Sequence, residues 1–366
     1  MGRRLVKVIG VFLLGITGLL LLTIGAGLAY RAHRQDLNAQ ALTIHCSRGI
    51  DEARFVGIGG IAQWITVRGQ DRDNPVLLFL HGGPGEATNL TYYRQFISWT
   101  HDFTVVQWDQ RGAGKTFGAT GMAVASSMTI ARMAQDGIEL AEFLRSHLHK
   151  RKIILVGHSW GSILGIRMAK ARPDLFYAYV GTGQVVNVQR SLAIDYRRLL
   201  ARAQASGNAV AVRELRKIGA PPFRTMQALL TQDKWAQTYE GAGALVNGEL
   251  TSALFAPGYS LRDLYGEVGS LRVTLGRLVG ASLSGPMMKV DIKSLGPDFA
   301  LPVFVFDGPD DYITSPALAR DYVDWIKTPR KEFVMLKAGG HFALYTDSPE
   351  FLKELVTHVR PLAIGR

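Results

Sequence analysis

Ile153-Ile154-Leu155-Val156-Gly157-His158-Ser159-Trp160-Gly161 reads as a short apolar strand that runs into Gly-x-Ser-x-Gly. A helix follows, from Ser159 to Ala171, stopping before Pro173. The two glycines permit a tight turn that lifts the Ser159 hydroxyl out at the end of the strand, beside the positive end of the helix. The five-residue pattern alone is weakly specific, so the strand before it and the helix after it carry the inference.

On either side of this turn, short runs rich in β-branched and aromatic residues recur at Gln63 to Val67, Val76 to Leu80, Thr104 to Trp108, Ala178 to Gly181, Val303 to Phe306 and Phe333 to Leu336. Amphipathic stretches fit between them at Ile130 to Leu148, Pro316 to Ile326 and Pro349 to His358. The alternation predicts an α/β architecture, a mostly parallel sheet with helices on both faces. Ser315-Pro316 and Ser348-Pro349 read as N-cap and first-turn pairs. The alternation breaks over residues 184–297, which turn helical and basic, with Arg190, Arg197, Arg198 and Arg202 early in the stretch; an insertion of this kind between two strands reads as a lid. The core is then expected over residues 51–183 and 298–366.

A serine hydroxyl is a poor nucleophile without a base. In proteins built around this turn, an acid and then a histidine follow the serine along the chain. His341, in Ala338-Gly339-Gly340-His341-Phe342 directly after a strand, is the candidate base; His358 falls within the last helix. The orienting carboxylate should leave the preceding strand end, where Asp307, Asp310 and Asp311 stand. Asp311 fits best because Gly308 and Pro309 turn the chain away from the sheet, with Asp310 the alternative. For an oxyanion, Trp160 offers one backbone N–H, and Leu80-His81-Gly82-Gly83-Pro84-Gly85 offers a second from Gly83, or from Gly82.

Gln110-Arg111-Gly112-Ala113-Gly114-Lys115-Thr116 looks like a phosphate loop, but that pattern requires glycine where Asp109 stands, and no helix start is evident at Thr116. This loop is expected to shape the floor of the site instead.

Val8 to Tyr30 is an uncharged apolar run long enough, as a helix, to cross a hydrocarbon core of about 30 Å. Residues 1–34 are read as a single-pass membrane anchor and 35–50 as a linker; a signal peptide with small residues at Gly27-Leu28-Ala29 is the competing reading. Arg3, Arg4 and Lys7 before the run, against Arg31 and Arg34 after it, weakly favour an extracytoplasmic body, periplasmic or at the cell surface. The net charge of +12 fits a basic surface beside anionic headgroups, and no basic run with interleaved aromatics suggests nucleic acid. Cys46 is the only cysteine, so no internal disulfide forms.

Four segments together resemble the proline iminopeptidase-like branch of the α/β-hydrolases: His81 to Gly85, Trp108-Asp109-Gln110-Arg111-Gly112-Ala113-Gly114, Gly157 to Ser162, and the neighbourhoods of Asp311 and His341. The resemblance implies the α/β-hydrolase fold, a Ser159–Asp311–His341 triad, acyl transfer to water without metal or organic cofactor, and aminopeptidase action on small peptides. In that family lid carboxylates hold the substrate ammonium. Tyr239-Glu240-Gly241-Ala242 resembles such a lid segment, yet the basic lid makes Glu240 read as a helix-surface charge rather than an amine anchor, and Glu214 is a weaker candidate. The alternatives are an esterase acting on small or membrane-derived esters, including anionic ones, and a non-catalytic membrane-tethered binding module. With an ordinary imidazole, activity would rise through roughly pH 6 to 7.

Overall fold

A computed structural model describes residues 2–364. Eight strands form one sheet in the order β1-β2-β4-β3-β5-β6-β7-β8, with β1 Ile50–Ile58, β2 Ile61–Gly69, β3 Val76–Leu80, β4 Thr104–Asp109, β5 Ile153–His158, β6 Phe176–Thr182, β7 Val303–Asp307 and β8 Lys331–Met335. From β4 to β8 neighbouring strands run parallel, while β1 and β2 are antiparallel additions at one edge.

The continuous apolar character of the central strands follows from burial on both faces. Leu78 and Leu80 of β3, Leu155 of β5 and Val305 of β7 enter one core, with Trp108, Trp160 and Tyr322. Their sequence neighbours Leu77, Phe79, Ile154, Val156, Phe304 and Phe306 enter a second core on the opposite face, with Trp99 and Phe351. Side chains alternate in a strand, so covering both faces with helices requires every position to be apolar.

The sequence reading did not anticipate β1. Five of its nine residues are exposed at the sheet edge, which erases the apolar run. Its signal lay in Gly59-Gly60, both with positive φ (59° and 76°), which join Ile58 to Ile61 as a two-residue hairpin. The sequence places the last strand at Phe333 to Leu336; it starts two residues earlier and ends one earlier, at the other, half-covered edge. The final helix is Ser348–Glu354, followed by a wider turn Leu355–Val359. Neither expected serine cap forms: Ser315 makes no capping bond, and Ser348 lies inside its helix, where its hydroxyl accepts from the Trp99 indole (2.9 Å).

Between β6 and β7 the chain leaves the sheet for helices Val188–Ala205, Ala209–Ile218, Met226–Tyr239, Gly243–Leu254 and Leu261–Leu278, which have their own apolar cluster and close over the C-terminal ends of the strands. At the N-terminus a single helix runs Gly2–Leu42. The segment expected as a linker, residues 35–50, is thus helical as far as Leu42, and Ile50 already belongs to β1. From Leu5 onward this helix is long and apolar enough to cross a membrane, with none of its most apolar window buried.

Candidate active site

Ser159 sits at the turn between β5 and helix Trp160–Ala171 with φ 51° and ψ −119°, a conformation that strains an L-residue by about 1–3 kcal/mol. The glycines around it are spatial necessities. A Cβ on Gly161 would stand 2.1 Å from the Leu80 carbonyl oxygen, and one on Gly157 would stand 2.7 Å from that of Gly161. The turn therefore packs directly on the end of β3 and aims the hydroxyl upward.

The Ser159 hydroxyl donates to Nε2 of His341 at 2.8 Å. Nδ1 of His341 donates to Oδ2 of Asp311 at 3.0 Å. The other Asp311 oxygen accepts the N–H groups of Ile313 and Thr314 at 2.7 Å each, so the carboxylate is held from both sides. Of the three aspartates near this turn, Asp310 is exposed and Asp307 accepts only a long 3.4 Å bond from the Gln184 N–H; Asp311 is the one that reaches the histidine. Burial raises Asp307 to about 8. Asp311 is lowered: burial opposes ionisation, but the His341 charge and hydrogen bond and the Thr314 donors outweigh it.

Gly83, with φ 105°, lines the cavity above Ser159. Gly82 packs so close to Ser159 that a Cβ there would stand 3.3 Å from the serine Cβ. Trp160 is the first residue of its helix, where a backbone N–H has no intrahelical acceptor. Of the two expected oxyanion donors, Gly83 thus lines the cavity and Trp160 directly follows Ser159 in the chain.

Several residues that hold this arrangement have roles that were not legible in the sequence. His158 donates from Nε2 to the His341 carbonyl (2.9 Å), and burial lowers its pKa to about 3, keeping it neutral. Glu240 is not a surface charge. Its two oxygens accept the N–H of Tyr312 (2.8 Å) and of His341 (3.0 Å), clamping the acid loop to the histidine loop. Burial, then the nearby Asp311 charge, raises Glu240 to about 8. Glu214, by contrast, pairs with Lys234 at the lid surface. Arg198, the most engaged of the early lid arginines, bonds the carbonyls of Pro309 and Asp311 and pairs with Asp195 at 2.9 Å; it steadies the acid loop.

The Asp109–Thr116 segment is used in the same way. The Gln110 side chain accepts from the Trp160 indole (3.0 Å) and donates to the His81 carbonyl (3.2 Å), tying the floor together. A helix does start here, Gly114–Thr120, contrary to the sequence reading, but its first amides are taken: Gly114 donates to Glu267 and Lys115 to Asp109, both at 2.8 Å. Those two amides are therefore not free to cradle a phosphate.

Over Ser159 opens a cavity of about 290 Å³ walled by Val185, Leu192, Leu229, Leu275, Met288 and Ile313. Of the described residues lining it, Asp233 alone carries a charge. Burial raises the pKa of Asp233. Among the described residues no group of three or more His, Cys, Asp or Glu side chains is arranged to hold a metal ion.

The family described as the alpha/beta hydrolase fold matches residues 75–348, which hold the sheet from β3 onward, the lid and every residue of this site. The chain belongs to that family. It is a hydrolase of this fold, similar in sequence to aminopeptidases and in fold also to esterases: it is 29% identical over 317 residues to a probable aminopeptidase, YbaC, of Bacillus subtilis, covering 83% of this chain and 95% of that one. A probable proline iminopeptidase of Streptomyces coelicolor is 33% identical over 144 residues, 39% of this chain and 43% of the relative. Among solved structures, a proline iminopeptidase from Mycobacterium smegmatis superposes with a TM-score of 0.56 at 19% identity, covering 86% of this chain and 99% of that one, a likeness of fold.

Proposed function

We propose that this chain is a membrane-anchored serine aminopeptidase of proline iminopeptidase type, with its body outside the cytoplasm. The observation that carries the reading is the single carboxylate, Asp233, in an otherwise apolar cavity over Ser159. A free N-terminal ammonium needs a buried anion to replace its water, and the adjoining apolar wall suits a prolyl or similar side chain. An anionic ester would meet the wrong sign of charge there, and the lid arginine nearest the acid loop, Arg198, is already occupied.

In this reading Ser159 attacks the carbonyl carbon of the first residue while its proton passes to Nε2 of His341. Asp311 holds the imidazole with its Nδ1 proton inward and stabilises the imidazolium. The oxyanion is met by the N–H groups of Gly83 and Trp160. His341 then protonates the leaving amine, and water, activated by the same base, releases the acyl group from Ser159. Glu240 keeps the acid and histidine loops in register.

A substrate panel tests this. Prolyl-naphthylamide should be hydrolysed with a higher kcat/KM than its N-acetylated form, and than acetyl or butyryl nitrophenyl esters. A preference for the N-acetylated amide or the esters would reject the aminopeptidase reading while leaving serine hydrolysis standing.

A further inference from the structure

The N-terminal helix does not end where its apolar run ends. At about 1.5 Å per residue its 41 residues extend about 60 Å, roughly twice a hydrocarbon core of about 30 Å. Beyond Tyr30 it docks on one segment of the lid, Phe255 to Tyr259. Asn38 donates to the Phe255 carbonyl (2.8 Å), Gln35 to those of Ala256 (2.6 Å) and Tyr259 (2.8 Å), and Arg31 to that of Tyr259 (2.7 Å). The Tyr30 ring meets Phe255 edge-on at 5.7 Å. These contacts fall within about 12 Å of the end of the apolar run, at the depth of lipid headgroups.

The residues on either side of that segment are apolar and bare. Leu250, before it, is 78% exposed; after it Tyr265 and Val268 are 83% and 70% exposed, on the same face of helix Leu261–Leu278 as exposed Leu261. Arg262, Arg272 and Arg277 are exposed on the same helix, and Arg31 and Arg34 stand on the docked one. Exposed apolar side chains among arginines, pinned at headgroup depth, have the composition of a helix that lies in a membrane interface.

We propose that this lid face, centred on Tyr265 and Val268, is seated in the surface of an anionic phospholipid bilayer. The proposal rests on the anchor reading of the N-terminal helix. Leu275, on the same lid helix, walls the cavity over Ser159, so one helix touches both bilayer and substrate space.

The test uses the full chain in a Cys46→Ser background, with one environment-sensitive fluorophore attached through Leu19→Cys, Tyr265→Cys, Val268→Cys or Arg151→Cys, the last at the far end of the sheet. The proteins are reconstituted in phosphatidylcholine–phosphatidylglycerol vesicles with and without lipids spin-labelled near the headgroup, to read positions 265 and 268, or deep in the acyl chain, to read position 19. Loss of emission at positions 265 and 268, with none at 151, is the expected result. Quenching at position 19 but not at 265 or 268 would overturn the lid proposal alone. No quenching at position 19 would remove the anchor and the proposal with it. Self-quenching between labelled copies at 265, without lipid quenching, would assign the face to a second copy of the chain and likewise overturn the proposal.

Discussion

His341 faces carboxylates from three directions. Burial disfavours its charged form, but the Asp311 charge and hydrogen bond, then Glu240 and Asp233, outweigh burial and raise it to about 9. Only neutral imidazole accepts the serine proton, so kcat/KM should climb with pH along a limb displaced to the alkaline side of the pH 6 to 7 expected from an ordinary imidazole. The shift was not legible in the sequence because Asp233 and Glu240 precede His341 by about a hundred residues and reach it only through the folded lid. Removing one of these charges favours the neutral ring, so Asp233→Asn should move the limb toward acid and raise KM for prolyl-naphthylamide. A limb that stays in place in this variant would show that Asp233 does not face the histidine. At the same scale Asp311→Asn should lower kcat by roughly 10⁴-fold, through loss of the Nδ1-inward tautomer, with the Ser159 turn intact.

At the scale of elements, the strands that read plainly from the sequence are those buried on both faces, such as Val76–Leu80, whose five residues are all buried. Edge strands were misread in proportion to their exposure: Ile50–Ile58 was missed and Lys331–Met335 shifted. The helix Gly114–Thr120 was hidden by its glycines and is held by partners distant in sequence, chiefly Glu267. The loop before it depends on a buried pair. Arg111 Nε meets Asp136 Oδ2 at 2.7 Å, with the two side chains 2% and 0% exposed, and a second bond at 3.1 Å makes the contact bidentate. Breaking a buried pair leaves an uncompensated charge, so Asp136→Ala should destabilise the protein by about 3–5 kcal/mol in denaturant titrations. A change below about 1 kcal/mol would mean that Arg111 finds water or another partner.

For the molecule as a whole, the order serine, acid, histidine was readable because it follows the order of strands, and strand ends bring all three to one edge of the sheet. The lid was readable as an interruption in that alternation, but its internal contacts were not. The basic composition of residues 184–297 pointed toward an anionic substrate, whereas the cavity that the lid encloses carries Asp233. Surface composition and cavity composition are set by different side chains of the same helices, and only the fold separates them. The continuation of the N-terminal helix into the lid was likewise invisible, since Arg31, Gln35 and Asn38 look like an ordinary polar exit from an apolar run.

The most direct measurement of the central claim is covalent labelling of the purified full chain with a fluorophosphonate, read by intact mass and peptide mapping. One adduct per chain is expected, on Ser159, abolished in Ser159→Ala and slowed when the pH falls below the His341 limb. An unlabelled wild-type protein, or a Ser159→Ala variant that labels equally well, would contradict it.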